Sequence, residues 1–333
     1  MIKSQFFKTL PLIITFLVLP VLAGCVPNAG ASNGLPVSGP GDLWNLSLSL
    51  NDRSAKGTAI PEVNMTVSSN SIDDLKQGKV EASFLGREPT PEELQGLKDY
   101  VIAYDAVCII IDDNSFTGGM SARQKNTGFQ ALTMDNLKAI FSGTGWSWDS
   151  GFYMANTNID PGSWLWDVPD VAWVPQPKTI LNFFIFPVGK YDTQSVLYQS
   201  LGLDEASLVS SRTSFTSSRY DKEEEVLSYE YNSSNYATDN GAQDFPFKLA
   251  FASRRIMTIA PQHVPVRVIP IDGIDPLKNP QSIYDGSYKL SRKIHLLIRE
   301  NSTNGALQLV QYSLSSDGQK MLADAGYLPL SPQ

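Results

Sequence analysis

Strand-like and helix-like stretches take turns along the first half of this chain, and that alternation limits the folds open to it. Val63-Asn64-Met65-Thr66-Val67 alternates apolar and polar residues as a half-buried strand does. Ser68-Ser69-Asn70-Ser71 follows as a polar turn, with Ser71 placed to cap a short helix over Ile72–Lys76. Val80–Leu85 is the next strand. Thr90-Pro91-Glu92-Glu93 carries the marks of a helix start: Thr90 as cap, Pro91 at the first helical position, Glu93 closing a capping box. Val101–Ile111 reads as one long apolar strand, interrupted near Asp105. Thr133 opens another helix, with Leu132 and Leu137 at staple positions and Gly143 beyond its end. Such alternation predicts an α/β layered fold with mostly parallel sheets. Toward the C terminus, Val264–Ile271 and Lys293–Ile298 read as strands. Ala306–Ser313 and Gly318–Ala325 read as helices, with Gly326 as a stop.

The first residues have a secretory build. Lys3 and Lys8 precede an apolar run from Leu10 to Val21, which ends in Leu22-Ala23-Gly24-Cys25. Small residues followed by cysteine form the bacterial lipobox pattern. Residues 1–24 are thus expected to be a lipoprotein signal peptide. Cys25 becomes the first mature residue, carrying a diacylglyceryl group and acyl chains such as palmitate. The apolar run is shorter than the roughly 20 residues that span a bilayer, and Pro11 and Pro20 break it. Residues 26–41 are rich in Gly, Pro, Ser and Asn, so residues 25–41 read as the lipidated cysteine and a flexible tether.

At 333 residues the chain has the length for two lobes. Its formal net charge of −8 becomes more negative once Lys3 and Lys8 leave with the signal segment. An acidic surface repels nucleic acid phosphate, which excludes nucleic acid as a partner. With Cys25 acylated, Cys108 is left without an intrachain partner. Its setting, Ala106-Val107-Cys108-Ile109-Ile110-Ile111, is that of a small core residue.

Catalytic and metal chemistry is thinly supplied. The two histidines are His263, in a turn-like Pro261-Gln262-His263-Val264-Pro265, and His295, in a strand pattern. Neither has a ligand neighbour at a useful spacing, and no Gly-x-Ser-x-Gly elbow or Ser-x-x-Lys motif occurs. Asp112-Asp113-Asn114 reads as a polar turn, since the following residues do not complete a calcium loop. Residues 210–244, with Glu223-Glu224-Glu225, read as a solvated insertion. Trp146, Trp148, Trp164, Trp166 and Trp173 form a cluster that suits either lobe packing or a sugar platform. No metal and no cofactor is expected.

Several segments resemble the phosphate-type solute-binding proteins of ABC importers. Gly86-Arg87-Glu88-Pro89-Thr90-Pro91-Glu92-Glu93-Leu94 is similar to their Arg-Glu helix start. Val101–Ile111 resembles the inter-lobe strand that follows. Leu132-Thr133-Met134-Asp135-Asn136-Leu137-Lys138-Ala139-Ile140-Phe141-Ser142-Gly143 is the most specific match. Gly286-Ser287-Tyr288-Lys289-Leu290-Ser291-Arg292 resembles a second crossing. Ser315–Lys320 and Gly326–Leu330 resemble the terminal helix and tail. The matches keep the family's order over about residues 60–143 and 264–330.

The resemblance implies a two-lobed periplasmic-binding-protein fold of the second type, with two hinge crossovers and a cleft between the lobes. Lobe one would take residues 42–104 plus 287–333, and lobe two residues 105–286. The implied ligand-binding residues are Ser69, Asn70 and Ser71 on one donor loop, Arg87, and Asp192 and Thr193 on another, with Ser38-Gly39-Pro40 near the first family loop. Arg87 is open to two roles, cleft cation or ion-pair partner at a helix start. Pro187 stands where the family has an arginine, and Asp192 adds a carboxylate, which disfavours a phosphate dianion. The implied function is capture of a small polar solute or oxyanion for an ABC permease, without covalent chemistry. A sensory lipoprotein with the same clamshell, or a surface glycan hydrolase with two carboxylates beside the tryptophans, are the rivals.

Overall fold

The chain leaves one half of the molecule and enters the other on a single strand, β4 (Leu97–Asp112). The computed structural model describes residues 34–57, 60–112, 132–142, 182–183, 190–205, 248–259 and 266–331. Cys25, His263, the five clustered tryptophans and the insertion at 210–244 lie outside the described residues.

The N-terminal half is built from β1 (Leu35–Gly39), α1 (Trp44–Ala55), β2 (Val63–Val67), α2 (Ser71–Lys76) and β3 (Ala82–Leu85). Beyond β4 come α3 (Met134–Ser142), β5 (Asn182–Phe183), α4 (Asp192–Ser200), β6 (Lys248–Ser253), α5 (Arg254–Ile259), β7 (Val266–Ile269) and α6 (Gln281–Tyr284). The chain then returns on β8 (Ser291–Arg299) and ends with α7 (Asn304–Leu314) and α8 (Ser316–Asp324). The strand order is β2-β1-β3-β8-β4-β6-β5, with β7 also paired to β4.

Pairing is parallel for β1 with β2, β1 with β3 and β5 with β6. It is antiparallel for β8 with β3 and β4, and for β4 with β6 and β7. The expectation of mostly parallel sheets therefore fails at the centre. β4 carries the chain out and β8 brings it back, so the two run in opposite directions. β4 pairs β8 over Leu97–Ala106 and then β6 and β7 over Val107–Asp112. Its irregularity lies between Val101 and Ala103, not at Asp105.

Two large apolar cores flank this crossing. One holds Val37, Leu43, Leu46, Phe84, Ala103, Ile294 and Leu309 among others; the second holds Ala106, Ile109, Leu137, Leu197, Phe251 and Leu290. Leu132 and Leu137 are both buried in the second core, and Thr133 and Asn136 cap α3 reciprocally, Asn136 N donating to Thr133 Oγ1 at 3.1 Å. Cys108 is fully buried in β4, as its apolar setting implied.

Three local expectations are corrected. The tether cannot reach residue 41, because Leu35–Gly39 is an inner strand between β2 and β3. Leu35 and Val37 supply its apolar face, and Val37 is wholly buried. Ser38 and Gly39 are the last residues of this strand, and Pro40 follows it. Residues 91–96 make turns, not a helix, although the capping box forms: Thr90 N donates to Glu93 Oε2 at 2.8 Å and Glu93 N to Thr90 Oγ1 at 3.2 Å. At α2 the cap position falls to Asn70, whose side chain makes no capping bond, and Ser71 is already helical. Gly326 does stop the last helix, with φ +90 just after it. Among the described residues no helix is long and apolar enough to cross a membrane.

Candidate functional site

Strands β1, β2 and β3 all deliver their C-terminal ends to one side of the sheet. Open α/β sheets place ligands beyond such ends. The segments that follow are Pro40-Gly41-Asp42, Ser68-Ser69-Asn70 and Gly86-Arg87. The start of α4 joins them from the other half of the chain. Together they line a cavity of about 420 Å³ whose wall includes Ser69, Asn70, Ser71, Arg87, Asp192 and Ser195. Five of the six implied ligand residues thus come together. Thr193 does not line the cavity.

The serine-rich loop is held from below. Ser38 Oγ donates to Ser71 O at 3.1 Å, and Ser68 N donates to Gly39 O at 3.0 Å. Ser68 Oγ donates to Asp74 Oδ2 at 2.8 Å, which with Lys79 keeps that carboxyl below its usual range. Ser69 and Asn70 stay exposed at the mouth while Ser71 is buried.

Arg87 pairs with Glu93 and also lines the cavity. Its Nη1 and Nη2 reach Glu93 Oε2 and Oε1 at 2.8 and 2.6 Å, a bidentate pair. That pair raises the affinity of Arg87 for its proton and lowers that of Glu93. The guanidinium still faces the cavity, with Nε 3.9 Å from Asp192 Oδ1.

Asp192 is buried and accepts from Gly86 N at 2.6 Å. Burial first, and the nearby Asp42 second, push its carboxyl up to about 7. It is therefore poised to accept or hold a proton near neutral pH.

Thr193 is committed elsewhere. Its backbone N–H and its Oγ1 donate to Asp42 Oδ2 at 3.1 and 2.8 Å, while Asp192 N donates to Asp42 Oδ1 at 3.1 Å. Arg292 Nη1 completes the ring around Asp42 at 2.6 Å. Arg292 also donates through Nε and Nη2 to Asp105 Oδ2, which accepts from Ser253 Oγ as well. Of these residues only Thr193 and Asp192 were named as ligand candidates in the sequence; Arg292 appeared only within the second crossing, and Asp42 and Ser253 were not singled out. Asp105 was, as an interruption, and its oddity in an apolar strand was the usable signal.

Two glycines make this crowding possible. A Cβ on Gly86 would stand 3.0 Å from Arg292 Nη1 and 3.2 Å from Asp192 Cβ. A Cβ on Gly41 would stand 2.9 Å from the Tyr191 ring, beside the bond from Gly41 N to Lys190 O at 2.8 Å.

His295 sits in β8 with Nδ1 2.8 Å from Asp99 Oδ1, so it serves a strand contact. Among the described residues no group of three or more His, Cys, Asp or Glu is arranged to hold a metal ion.

No family model and no curated protein matches the chain. Solved structures do. A protein of Clostridium perfringens, assigned as a phosphate ABC transporter substrate-binding protein and solved with bound phosphate, superposes with TM-score 0.62 at 18% identity. That match covers 90% of this chain and 100% of the other. An ABC-type phosphate transport receptor of Vibrio cholerae gives 0.57 at 14%, covering 88% and 99%. PstS of Borrelia burgdorferi gives 0.52 at 16%, covering 89% and 98%. The chain has the two-lobed α/β fold of these phosphate-type binding proteins, as the sequence resemblance implied.

Proposed function

We propose that this chain is a lipid-anchored, extracytoplasmic solute-binding protein that hands a small polar solute to an ABC permease. The observation that carries the reading is the 420 Å³ cavity where the loops after β1, β2 and β3 meet the start of α4, in a fold shared with transport receptors. The anchor rests on Leu22-Ala23-Gly24-Cys25. Binding, not catalysis, fits a site where Arg87 is engaged by Glu93 in two short bonds.

The lobes divide near residues 104 and 290. The two cores support this division, since one ends at Ala103 and resumes at Ile294, and the other runs from Ala106 to Leu290. β1 joins lobe one, which then begins near Gly34 in place of residue 42.

The solute presents a hydrogen-bond donor to Asp192, accepts from Ser69 and Asn70, and lies beside Arg87. Asp73, Glu92, Glu93 and Asp192 outnumber Lys76 and Arg87 on the wall. That balance suits a neutral or amine-bearing solute, or an oxyanion that still carries a proton, over a dianion. A thermal-shift screen of the full-length protein in detergent tests this, with phosphate, sulfate, molybdate, sugars and amines as probes. One probe should raise the melting temperature in proportion to its occupancy, and Ser69→Ala should weaken that rise. A hit whose affinity ignores Ser69 and Asp192 variants places the solute elsewhere and sinks the reading.

A further inference from the structure

We infer that Asp42 is a built-in occupant of an oxyanion seat and thereby sets the specificity of the neighbouring cavity against fully ionised oxyanions. The seat is the N-terminal turn of α4, a nine-residue helix whose cap residue, Tyr191, has no side-chain cap bond to offer. The first amides of such a helix need acceptors, and the helix end favours negative charge. Here both carboxylate oxygens of Asp42 supply it. Two backbone N–H groups, the Thr193 hydroxyl and the Arg292 guanidinium converge on them at 2.6–3.1 Å. That donor set, two amides, a hydroxyl and an arginine, is what a free oxyanion would require.

The occupant is delivered from far away in the chain and cannot leave easily. Asp42 lies 150 residues before Asp192 and 250 before Arg292. Its side chain and that of Arg292 are 0% and 1% exposed. The bare backbone at Gly41 lets Pro40-Gly41-Asp42 press against Lys190-Tyr191, and the bare backbone at Gly86 leaves room for Arg292. Three positions, 41, 42 and 86, thus act together to bring an internal carboxylate to the place of an external one. The consequence is a division of labour. The backbone of Asp192 and Thr193 is taken by Asp42, while the side chain of Asp192 is left to the cavity. A solute in the cavity meets a carboxyl where an anion would want donors. The occupancy of the seat by Asp42 stands without the transport reading, whereas its effect on specificity rests on that reading.

Two measurements test it. In the full-length wild-type protein, hydrogen exchange at the Asp192 and Thr193 amides should be strongly protected without ligand and unchanged by inorganic phosphate. Fast exchange there that slows on adding phosphate overturns the inference, and needs no variant. In Asp42→Ala, formate should raise the melting temperature in a saturable way, measured against chloride at equal ionic strength, while wild type gives no such rise. A folded Asp42→Ala protein with no formate response overturns it as well. A failed solute screen leaves both outcomes readable, so failure of the transport reading and failure of the seat are distinguishable.

Discussion

Asp105 and Arg292 stand directly opposite one another in the β4–β8 ladder, and the guanidinium donates to a single carboxylate oxygen through Nε at 3.1 Å and Nη2 at 2.8 Å. The pair sits where one apolar core gives way to the other, with Ala103 and Ile294 on one side and Ala106 and Leu290 on the other. Its third member, Asp42, ties the start of α1 and the start of α4 to the same cation.

Removing the shared cation should be costly. Arg292→Met leaves the buried carboxylates of Asp42 and Asp105 without the guanidinium they share, and breaking a buried pair in this way costs about 3–5 kcal/mol. Arg292→Lys keeps one charge but cannot donate in three directions from a planar fork, so it should recover only part of the loss. Urea denaturation of the three proteins gives the numbers. A loss below about 1 kcal/mol for Arg292→Met, the size of an exposed pair, would show that the network does not hold buried charge.

Gly86→Ala tests the packing around the same guanidinium. The added methyl would stand 3.0 Å from an Nη1 that Asp42 holds at 2.6 Å, so the side chain has little freedom to yield. Overpacking of this kind costs about 1–3 kcal/mol. Melting curves should show the loss, and a crystal structure should show Arg292 turned from Asp42. An unchanged melting temperature would mean the close approach is relaxed in solution.

The outline of this molecule could be read from its residues, whereas the site could be read only in part. β2, β4 and β8 follow apolar patterns that local sequence makes plain, and α3 announces itself through Thr133 and Leu137. β1 was hidden because Pro36, Ser38 and Gly39 give it the composition of a linker, although Leu35 and Val37 keep the alternation. Ser69, Asn70, Ser71, Arg87 and Asp192 were marked through the family resemblance, and all five line one cavity. Asp42 was not, since one acidic residue before a helix is ordinary and its partners lie 150 and 250 residues away. Thr193 lies in the first turn of α4, and a hydroxyl's partner there is decided by tertiary contacts; that partner is Asp42.

Stability should fall as pH rises toward neutrality, and Asp192 should be the cause. Its carboxyl is raised from 3.8 to about 7 by burial and by Asp42. The folded state therefore holds a proton that the unfolded chain releases, so the unfolded state binds fewer protons and stability declines with pH between these values. The contribution is fully present below about 4 and lost above about 7. Asp192→Asn should flatten this slope in denaturation experiments spanning that window. A slope identical to wild type would assign it to another group.

Arg87 and Glu93 should move that titration in opposite directions. Arg87 is engaged by Glu93 in two short bonds, yet its Nε stands 3.9 Å from Asp192 Oδ1 and its charge already favours ionised Asp192. In Arg87→Met that support is gone, and the Asp192 carboxyl should titrate higher. In Glu93→Gln the bidentate carboxylate is lost, the guanidinium is released to Asp192, and titration should move lower. Carbon-13 NMR of the Asp192 carboxyl reads the shift directly, free of the other groups that colour a stability profile. Both variants moving the same way would mean that Arg87 reaches Asp192 through a rearrangement of the Gly86 loop and not through its charge.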